Sequence, residues 1–587
     1  MHLKKFILVV MIFGLVYNSQ AQKHDYTWLL GYDNGVSSAG DTFGISRMDF
    51  NTSSLNPKIY LDTTLYMDFD GASSCISDKN GKFIFATNNT RIIDASGKTM
   101  INGFDIDPQP SNWAALFPTS CAILPSFYDS NKYLILHETN ISTGMGAAAI
   151  PLFLRVVNTP PNLKYGIAEK KSRIFYNDTV QMSAMCPVRH ANGRDWWLVK
   201  PSIDRNEMIN FLIKDTTISL FNIERIDTAL YNGYTQACFS SNGKYYAKVT
   251  IDQDSVGTII DLLQFDRCSG KFTYLKKYEI PNSALALGGC FSPNSRFLYV
   301  SGRYSLYQID LFSKEKEIIK IDTVDSFIEI LGGGFTGYVL FGPMERGPDG
   351  RIYNVSGTFR RMINVIDKPN LLGKACIVKK HSIRLSGLQE TIPNHPNYRL
   401  GPIDGSPCDT LGINNIPVAE FRYDQDTNEY KKIEFTNLSW YEPDEFWWDW
   451  GDGSAIYYTT VWDTSIIHTY AKDGVYQVCL RAKNMNGEHT ICKEIKLGTT
   501  GIKSYDSNIG IEMHPNPAHD VIIINVEDYL PSKMLMTIYD IQGKEVLHKR
   551  LYQGSNVIDL EDMNAGVYIV EIKERGIMAR SEKLVKL

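Results

Sequence analysis

The sequence lacks a charge excess and, beyond its N-terminus, any long apolar run. Its 587 residues carry 60 basic and 65 acidic side chains, which gives a formal net charge of −5. Nucleic-acid-binding surfaces carry a basic excess, so this balance argues against such a partner. A membrane-spanning helix needs about 20 apolar residues, and no segment after the N-terminal one reaches that length. We therefore expect neither a nucleic-acid partner nor a transmembrane segment.

Familiar catalytic and metal-binding motifs are missing as well. His137-Glu138 has Ile141 where a zinc-protease helix requires a second histidine. No G-x-S-x-G nucleophile motif occurs. Four cysteines precede repeated polar turns without C-x-x-C spacing or a neighbouring histidine pair, a pattern more typical of small core residues than of metal ligands: Cys75, Cys186, Cys238 and Cys290. The sequence thus predicts no catalytic residue, no cofactor and no metal ligand.

The N-terminus has the layout of a secretory signal peptide. Lys4 and Lys5 precede an apolar run from Phe6 to Tyr17, which is too short to span a bilayer. A small-x-small site ends at Ala21, before Gln22. We predict a signal peptide over residues 1–21, cleaved between Ala21 and Gln22.

All ten cysteines follow this segment, and an exported protein reaches an environment that permits disulfides. Cys479 and Cys492 flank the turn at residues 484–487 and would face each other across a hairpin. We predict a disulfide between them, with two buried thiols as the alternative.

Between the signal peptide and residue 403 the chain repeats itself. Six units, each a strand, a polar turn and a second strand rich in aromatic and branched residues, recur at spacings of 50 to 62 residues around Gly81, Asn131, Gly193, Gly243, Ser295 and Gly350. Such units are typical of β-propeller blades. We predict a propeller over residues 22–403.

The number of blades follows from closure of the ring. About seven blades fit the length, with the seventh formed by residues 376–400 and the strand near Tyr26 to Gly31. A six-bladed ring with a terminal extension is the alternative. The region resembles the WD-repeat-like, seven-bladed propellers of secreted bacterial proteins. The matching motif occurs at residues 292–294 (Ser-Pro-Asn) and 348–353 (Pro-Asp-Gly-Arg-Ile-Tyr).

Two smaller β domains follow. After a Pro- and Gly-rich linker at residues 404–415, residues 416–498 contain Trp450-Gly451-Asp452-Gly453, His468-x-Tyr470 and Gly474-x-Tyr476-x-Val478. These motifs resemble the PKD domain, which implies an immunoglobulin-like β-sandwich.

A second linker is predicted at residues 499–508, before a last domain at 509–587. It contains Pro515-Asn516-Pro517, Asp540 with Gly543-Lys544, Gly566-Val567-Tyr568 and the terminus Lys583 to Leu587. It resembles the type A sorting domain of the type IX secretion system. The resemblance implies a β-sandwich, contact with the type IX machinery, and export to the outer cell surface of a Gram-negative bacterium or beyond it.

Candidate ligand contacts lie in two places. In the propeller, His190 and Arg194 could contact an anionic or sugar ligand, and one of Trp196 and Trp197 should face outward if the strand is half-buried. Solvated turn residues are the alternative for the two charged side chains. In the PKD domain, Trp447 and Trp448 are candidates for stacking on sugars, with core packing as the alternative.

The chain is therefore predicted to be all-β: propeller, PKD β-sandwich and C-terminal β-sandwich sorting domain. The favoured function is that of a secreted or cell-surface recognition or adhesion protein that binds an extracellular glycan or protein through the propeller. The alternative is an extracellular propeller-type hydrolase or lyase acting on a polysaccharide or lactone, and a structural surface component is a third possibility. Whether the chain is an enzyme stays open at this point.

Overall fold

The computed structural model describes residues 22–587 except 32–43, 70, 108–118, 144–145, 162–165, 204, 227–234, 253–256, 282, 284–287, 315–316, 331–335, 427–428, 463–464, 498–510, 527–533, 553 and 575–576. The predicted signal peptide and the predicted linker at 499–508 lie outside the described residues. Described regular structure is almost wholly strand, with one short 3-10 helix at Gly373–Cys376.

Seven antiparallel sheets form the blades of the propeller. The first three blades contain β1 (Thr27–Gly31), β2 (Ile45–Asp49) and β3 (Lys58–Asp62); β4 (Ser74–Ser77), β5 (Phe83–Thr87) and β6 (Ile92–Asp94); and β7 (Cys121–Pro125), β8 (Lys132–Thr143), β9 (Gly146–Asn158) and β10 (Ile167–Ala168), with β11 (Arg173–Tyr176) and β12 (Val180–Gln181) also paired to β9. Blades 4 and 5 contain β13 (Cys186–Arg189), β14 (Trp196–Pro201), β15 (Glu207–Lys214) and β16 (Thr217–Arg225); and β17 (Thr235–Phe239), β18 (Tyr245–Asp252), β19 (Gly257–Phe265) and β20 (Phe272–Ile280).

The last two blades flank a small separate hairpin. They contain β21 (Gly288–Phe291), β22 (Phe297–Ser301), β23 (Ser305–Asp310) and β24 (Ile318–Thr323); then the hairpin β25 (Ile328–Ile330) and β26 (Thr336–Tyr338); then β27 (Met344–Arg346), β28 (Ile352–Asn354), β29 (Arg360–Ile366) and β30 (Val378–Gln389). The repeated polar turns at 78–82, 126–131, 190–195, 240–244, 292–296 and 347–351 lie on one face of the ring, called the turn face below.

Apolar side chains join each blade to the next and close the ring. Trp28 of blade 1 packs against Tyr353 of blade 7, with ring centroids 5.3 Å apart. Trp197 of blade 4 packs in the same way against Phe265 of blade 5, at 6.2 Å. Because a blade has a neighbour on both sides, both faces of its central strands are buried. The prediction of about seven blades is confirmed, but the predicted make-up of the seventh is wrong, because β1 pairs with β2 in blade 1 and β30 pairs with β29 in blade 7.

The chain that follows β30 runs inside blade 1, along β1. The His395 ring stacks on Trp28 at 5.8 Å, and Arg399 forms an ion pair with Asp25. The Asn394 side chain donates to two carbonyl oxygens, that of Cys121 in blade 3 and that of Met185 directly before blade 4, each at 2.8 Å. Residues 390–400, called the closure segment below, thus join the two ends of the propeller chain without forming a regular ladder.

The PKD region contains two sheets. One holds β31 (Phe421–Gln425), β32 (Lys432–Asn437) and β35 (Ser465–Thr469), and the other β34 (Tyr457–Thr459), β33 (Glu445–Asp449), β36 (Gly474–Asn484) and β37 (Gly487–Leu497). Phe421 of the first sheet and Trp448 of the second meet in the core between them, at 5.2 Å. Cys479 and Cys492 face each other across the β36–β37 hairpin and form a disulfide.

Most of the PKD region belongs to one compact unit with the propeller. Arg351 of blade 7 bridges them, because its guanidinium contacts Asp349 and Asp367 in the propeller at 3.0 and 2.6 Å and Asp424 of β31 at 2.8 Å. The interdomain chain is fastened as well, by a disulfide between Cys408 and Cys268 of blade 5. The PKD domain is therefore seated on the turn face.

The C-terminal domain is a sandwich with its own core. One sheet holds β38 (Ile511–His514), β39 (Val521–Val526) and β42 (Gly554–Asp559), and the other β41 (Glu545–Leu551), β40 (Met534–Asp540), β43 (Gly566–Glu574) and β44 (Ile577–Lys586). Alternation along β39 and β40 buries Ile522, Ile524, Met536 and Ile538 between the sheets. The predicted all-β fold class is confirmed for all three domains.

Candidate functional site

A large groove lies on the turn face of the propeller, between blades 2 and 3. Its volume is about 1060 Å³. The turns 78–82 and 94–96 of blade 2 form one wall, and the turns 125–131 and 159–161 of blade 3 form the other. Gln22, His24 and Arg189 close its inner end, beside the propeller axis. We call this feature the blade 2–3 groove.

Local sequence fixes the wall of blade 2. The Asp78 carboxylate accepts hydrogen bonds from the backbone N–H groups of Asn80 and Lys82, at 2.8 and 3.0 Å. Gly81 has a φ of 93°, in the left-handed region that favours glycine. The turn therefore holds one conformation, in which Lys79 and Lys82 are exposed at the groove.

The Asp94 turn repeats this arrangement. Its carboxylate accepts from the N–H groups of Ser96 and Lys98, at 2.8 and 3.1 Å. Both acidic residues that line the groove are thus occupied in holding their own turns.

A buried arginine closes the inner end. Arg189 is 4% exposed, and its guanidinium lies 3.8 Å from the centroid of the Trp196 ring. It donates only to neutral oxygens, the Arg194 carbonyl at 3.0 Å and the Gln22 side chain at 3.3 Å, and its Nε atom is buried with no hydrogen-bond partner among the described residues. Burial lowers the pKa of Arg189 to about 10, so it is still a cation at neutral pH.

The histidine beside Arg189 is neutral. The ring of His24 lies with Nδ1 2.7 Å from the Ser77 carbonyl oxygen, to which it donates. Burial lowers the pKa of His24 to about 4. The charge at the inner end of the groove therefore comes from Arg189.

Aromatic side chains mark the outer rim. Phe127 lines the groove and is 39% exposed, and the adjacent Tyr128 is 66% exposed. The two rings meet edge to face at 5.5 Å. Arg194 of blade 4 donates to the Tyr128 hydroxyl at 2.7 Å, which holds this rim in place.

The propeller residues predicted from the sequence lie next to this groove. Trp196 and Trp197 are 3% and 0% exposed, so both belong to the core. His190 is also buried, with Nδ1 accepting from the N–H of Asn192 at 3.0 Å and its ring 5.2 Å from Trp197. Arg194 alone among the four reaches the rim, through Tyr128.

The two PKD tryptophans differ in exposure. Trp448 is fully buried in the sandwich core. Trp447 is half-buried on the outer face of the same sheet, between the Tyr458 ring at 5.2 Å and the Arg481 guanidinium at 3.9 Å. An aromatic face of Trp447 is thus already covered by a cation.

The axial channel of the propeller is occupied by the protein itself. Besides Asn394, Tyr398 of the closure segment is fully buried there, and its hydroxyl donates to the Ile123 carbonyl at 2.8 Å. Burial raises the pKa of Glu345 to about 8 and that of Cys186 to about 12.

Sequence reasoning missed the residues that line the groove. Arg189 directly precedes the predicted His190, and Lys82 follows an Asn-Gly turn that recurs at Lys244 in blade 5, so neither stands out in the sequence. In the described part of the chain, no three His, Cys, Asp or Glu side chains are grouped as a metal site would need. A helix of membrane-spanning length and apolarity is likewise not found among the described residues.

Two domains match known families. Residues 414–497 match the PKD domain, and residues 512–586 match the secretion system C-terminal sorting domain. The chain therefore carries a PKD domain and a type IX sorting domain, and the latter indicates secretion to the cell surface. No curated protein matches the chain.

Several solved structures resemble it at low identity. A protein from Lactobacillus plantarum has 11% identity and a TM-score of 0.37, over 63% of this chain and 98% of the other. A putative 6-phosphogluconolactonase from Bacteroides uniformis has 12% identity and a TM-score of 0.30, over 62% and 98%. PorZ of Porphyromonas gingivalis, an essential bacterial surface component of the type-IX secretion system, has 10% identity and a TM-score of 0.26, over 93% and 73%. These values are too low to transfer an activity or a ligand.

Proposed function

We propose that the protein is a cell-surface recognition protein whose propeller binds an extracellular glycan in the blade 2–3 groove. The observation that carries the proposal is the combination, in one groove of about 1060 Å³, of an exposed aromatic ring with cations held on rigid turns. Ligand pockets for drug-sized molecules span about 300–1,000 Å³, so this groove has room for more than one sugar ring.

Each part of the groove suits a carbohydrate. Phe127 offers an apolar ring face, against which the C–H face of a sugar packs. The turn that carries Lys79 and Lys82 is held by hydrogen bonds to Asp78, so little backbone entropy is lost on binding. Export to the cell surface brings this groove into contact with extracellular polymers.

Recognition is favoured over catalysis because of the axial channel. The hydrolase or lyase alternative places its centre there, and the closure segment fills that space with Asn394 and Tyr398.

A glycan array tests the proposal with the chain of residues 22–587. We expect saturable binding to a subset of glycans, weakened roughly fivefold or more by Phe127→Ala. Phe312→Ala is the matched control, because Phe312 is 61% exposed on a turn of blade 6, away from the groove. A blank array, or equal binding by both variants, would refute a glycan site in this groove, and release of shorter sugars during incubation would support the hydrolase instead.

A further inference from the structure

We infer that the blade 2–3 groove selects anionic carbohydrates, whose carboxylate or sulfate group is held at the inner end by Arg189 while the sugar rings lie toward Phe127. This inference rests on the proposed function and specifies its class of ligand. It is carried by the groove, by a buried cation directed into it, and by the state of the acidic residues around that cation.

Arg189 forms no ion pair with an acidic side chain among the described residues, although the charge of Asp195 acts on it. A buried guanidinium is stable only when its charge and its N–H groups are compensated. Arg189 has two neutral oxygens as partners and a buried Nε with none. The nearest acid on the same turn, Asp195, is already held by Arg194, at 2.7 and 2.9 Å. An incoming anion would supply the missing compensation.

The walls of the groove add positive charge. Lys79 and Lys82 are exposed on the blade 2 turn, and no ion pair to either occurs among the described residues. The two acids in the lining, Asp78 and Asp94, accept hydrogen bonds from their own turns. Three cations therefore face the groove against two carboxylates.

Gln22 is the side chain that contacts the Arg189 guanidinium at the inner end of the groove. The Gln22 side chain, an uncharged acceptor, accepts a long hydrogen bond from Arg189 at 3.3 Å, and Gln22 is half-exposed. A carboxylate or sulfate makes shorter, charge-assisted bonds to a guanidinium and would displace it.

The test compares four probes on the chain of residues 22–587: hyaluronan oligosaccharides for carboxylate, heparin oligosaccharides for sulfate, maltodextrin for a neutral sugar and polyglutamate for an acidic peptide. We expect hyaluronan or heparin to bind, and maltodextrin and polyglutamate to bind at least tenfold more weakly. Binding should weaken as salt is raised, because an anion contact is screened. The stronger of the two binding probes identifies the charged group.

Variants locate the charge contacts. Lys79→Gln with Lys82→Gln should weaken binding about tenfold. Lys244→Gln is the matched control, because it lies in the equivalent Asn-Gly-Lys turn of blade 5, outside the groove. Arg189→Gln should abolish binding, and since Arg189 packs on Trp196, the melting temperature of this variant is measured beside its affinity.

The outcomes separate this inference from the proposed function. Maltodextrin binding that Phe127→Ala weakens and the lysine variants do not would overturn anion selection and leave glycan recognition standing. Equal binding of polyglutamate and hyaluronan would overturn selection for carbohydrate. If no probe binds and the array is also blank, both proposals are wrong.

Discussion

At the scale of single residues, Arg351 joins acidic side chains of the propeller and of the PKD domain. One guanidinium faces Asp349, Asp367 and Asp424, and it is 7% exposed. Removal of a buried cation leaves its acidic partners uncompensated, which costs about 3–5 kcal/mol. We expect Arg351→Met to lower the free energy of unfolding by that order, as measured by urea denaturation of the chain of residues 22–497.

The control for this prediction comes from the repeat itself. Arg296 occupies the equivalent place in blade 6, where it pairs with Asp310 at 2.7 Å and its side chain is 44% exposed. A partly exposed pair contributes about 0–1 kcal/mol, so Arg296→Met should have a small effect. Equal losses in the two variants would contradict the assigned role of Arg351.

Asp367 makes the same cluster sensitive to acid. Burial alone would raise its pKa, but the nearby Arg351 outweighs that effect and holds the pKa of Asp367 at about 2, below the ordinary value of an aspartate. A carboxyl with a depressed folded-state pKa stabilises the fold above pH 4 and loses this contribution as the pH falls from about 4 through 2. The loss amounts to about 2 kcal/mol.

The measurement is the free energy of unfolding at pH 6 and near pH 2.5. The wild type should lose stability over this interval, and Asp367→Asn should lose about 2 kcal/mol less over the same interval. A variant with the full wild-type pH dependence would show that the acid sensitivity arises elsewhere.

The sequence could not place single side chains on exposed faces. Alternation predicts that one of Trp196 and Trp197 faces outward, but both are buried. The physical reason is that a blade in the middle of a ring is covered on both sides by its neighbours. Successive side chains of such a strand then point into two different cores, one on each side of the blade, instead of into one core and the solvent. For the same reason, the sequence did not identify Arg189 as one of the cations that line the groove.

At the scale of elements, one amide of the closure segment joins two parts of the ring. Asn394 is 8% exposed and donates to the carbonyl oxygens of Cys121 and Met185, each at 2.8 Å. Its replacement by alanine leaves two buried carbonyl groups without these partners, which costs about 1–3 kcal/mol for each group left unsatisfied. We expect Asn394→Ala to lower the midpoint of thermal unfolding by several degrees.

Asn397→Ala is the comparison within the same segment. Asn397 is half-buried, and its side-chain amide donates to a single carbonyl oxygen, that of Ser241, at 2.8 Å. The shift in its melting midpoint should be the smaller of the two. The reverse order would show that the amide of Asn394 does not hold the blades together.

Elements were easier to predict than their closure. The strand–turn–strand repeat identified six units because each unit fixes its own turn through local hydrogen bonds, as Asp78 does. Closure brings residues 390–400 beside β1 without a strand ladder, through contacts such as Trp28 with His395. Those contacts join residues far apart in the chain, so local sequence patterns do not predict them.

At the scale of the molecule, the predicted linker at residues 404–415 is held in place by a disulfide and by hydrogen bonds. Cys408 is bonded to Cys268 of blade 5, and Asn415 is 1% exposed, with its amide donating to the Pro402 carbonyl at 3.0 Å. Proline and glycine in the sequence indicate irregular backbone, and irregular backbone is observed. Such backbone can still be fixed in place by its contacts. The partner of Cys408 lies 140 residues away, beyond the reach of spacing arguments.

Propeller and PKD domain should therefore unfold together. Besides Arg351 with Asp424, Glu420 of the PKD domain pairs with Lys23 of the propeller at 3.7 Å, and Arg422 donates to the Asp349 carbonyl at 2.7 Å. These contacts form only when both domains are folded, so the unfolding of one removes stability from the other. Calorimetry of the chain of residues 22–497 should show a single transition, with equal calorimetric and van't Hoff enthalpies.

A double-mutant cycle on Arg351→Met and Asp424→Asn measures this coupling directly. Because the two groups are in contact and mostly buried, we expect a coupling energy of about 1–3 kcal/mol. The pair Arg296 and Asp424 provides the control cycle, with a value near zero, because Arg296 lies in blade 6 and pairs with Asp310. Two separate transitions together with a negligible coupling energy would mean that the PKD domain is tethered to the propeller without supporting it, and the turn face beside the blade 2–3 groove would then be open to larger ligands.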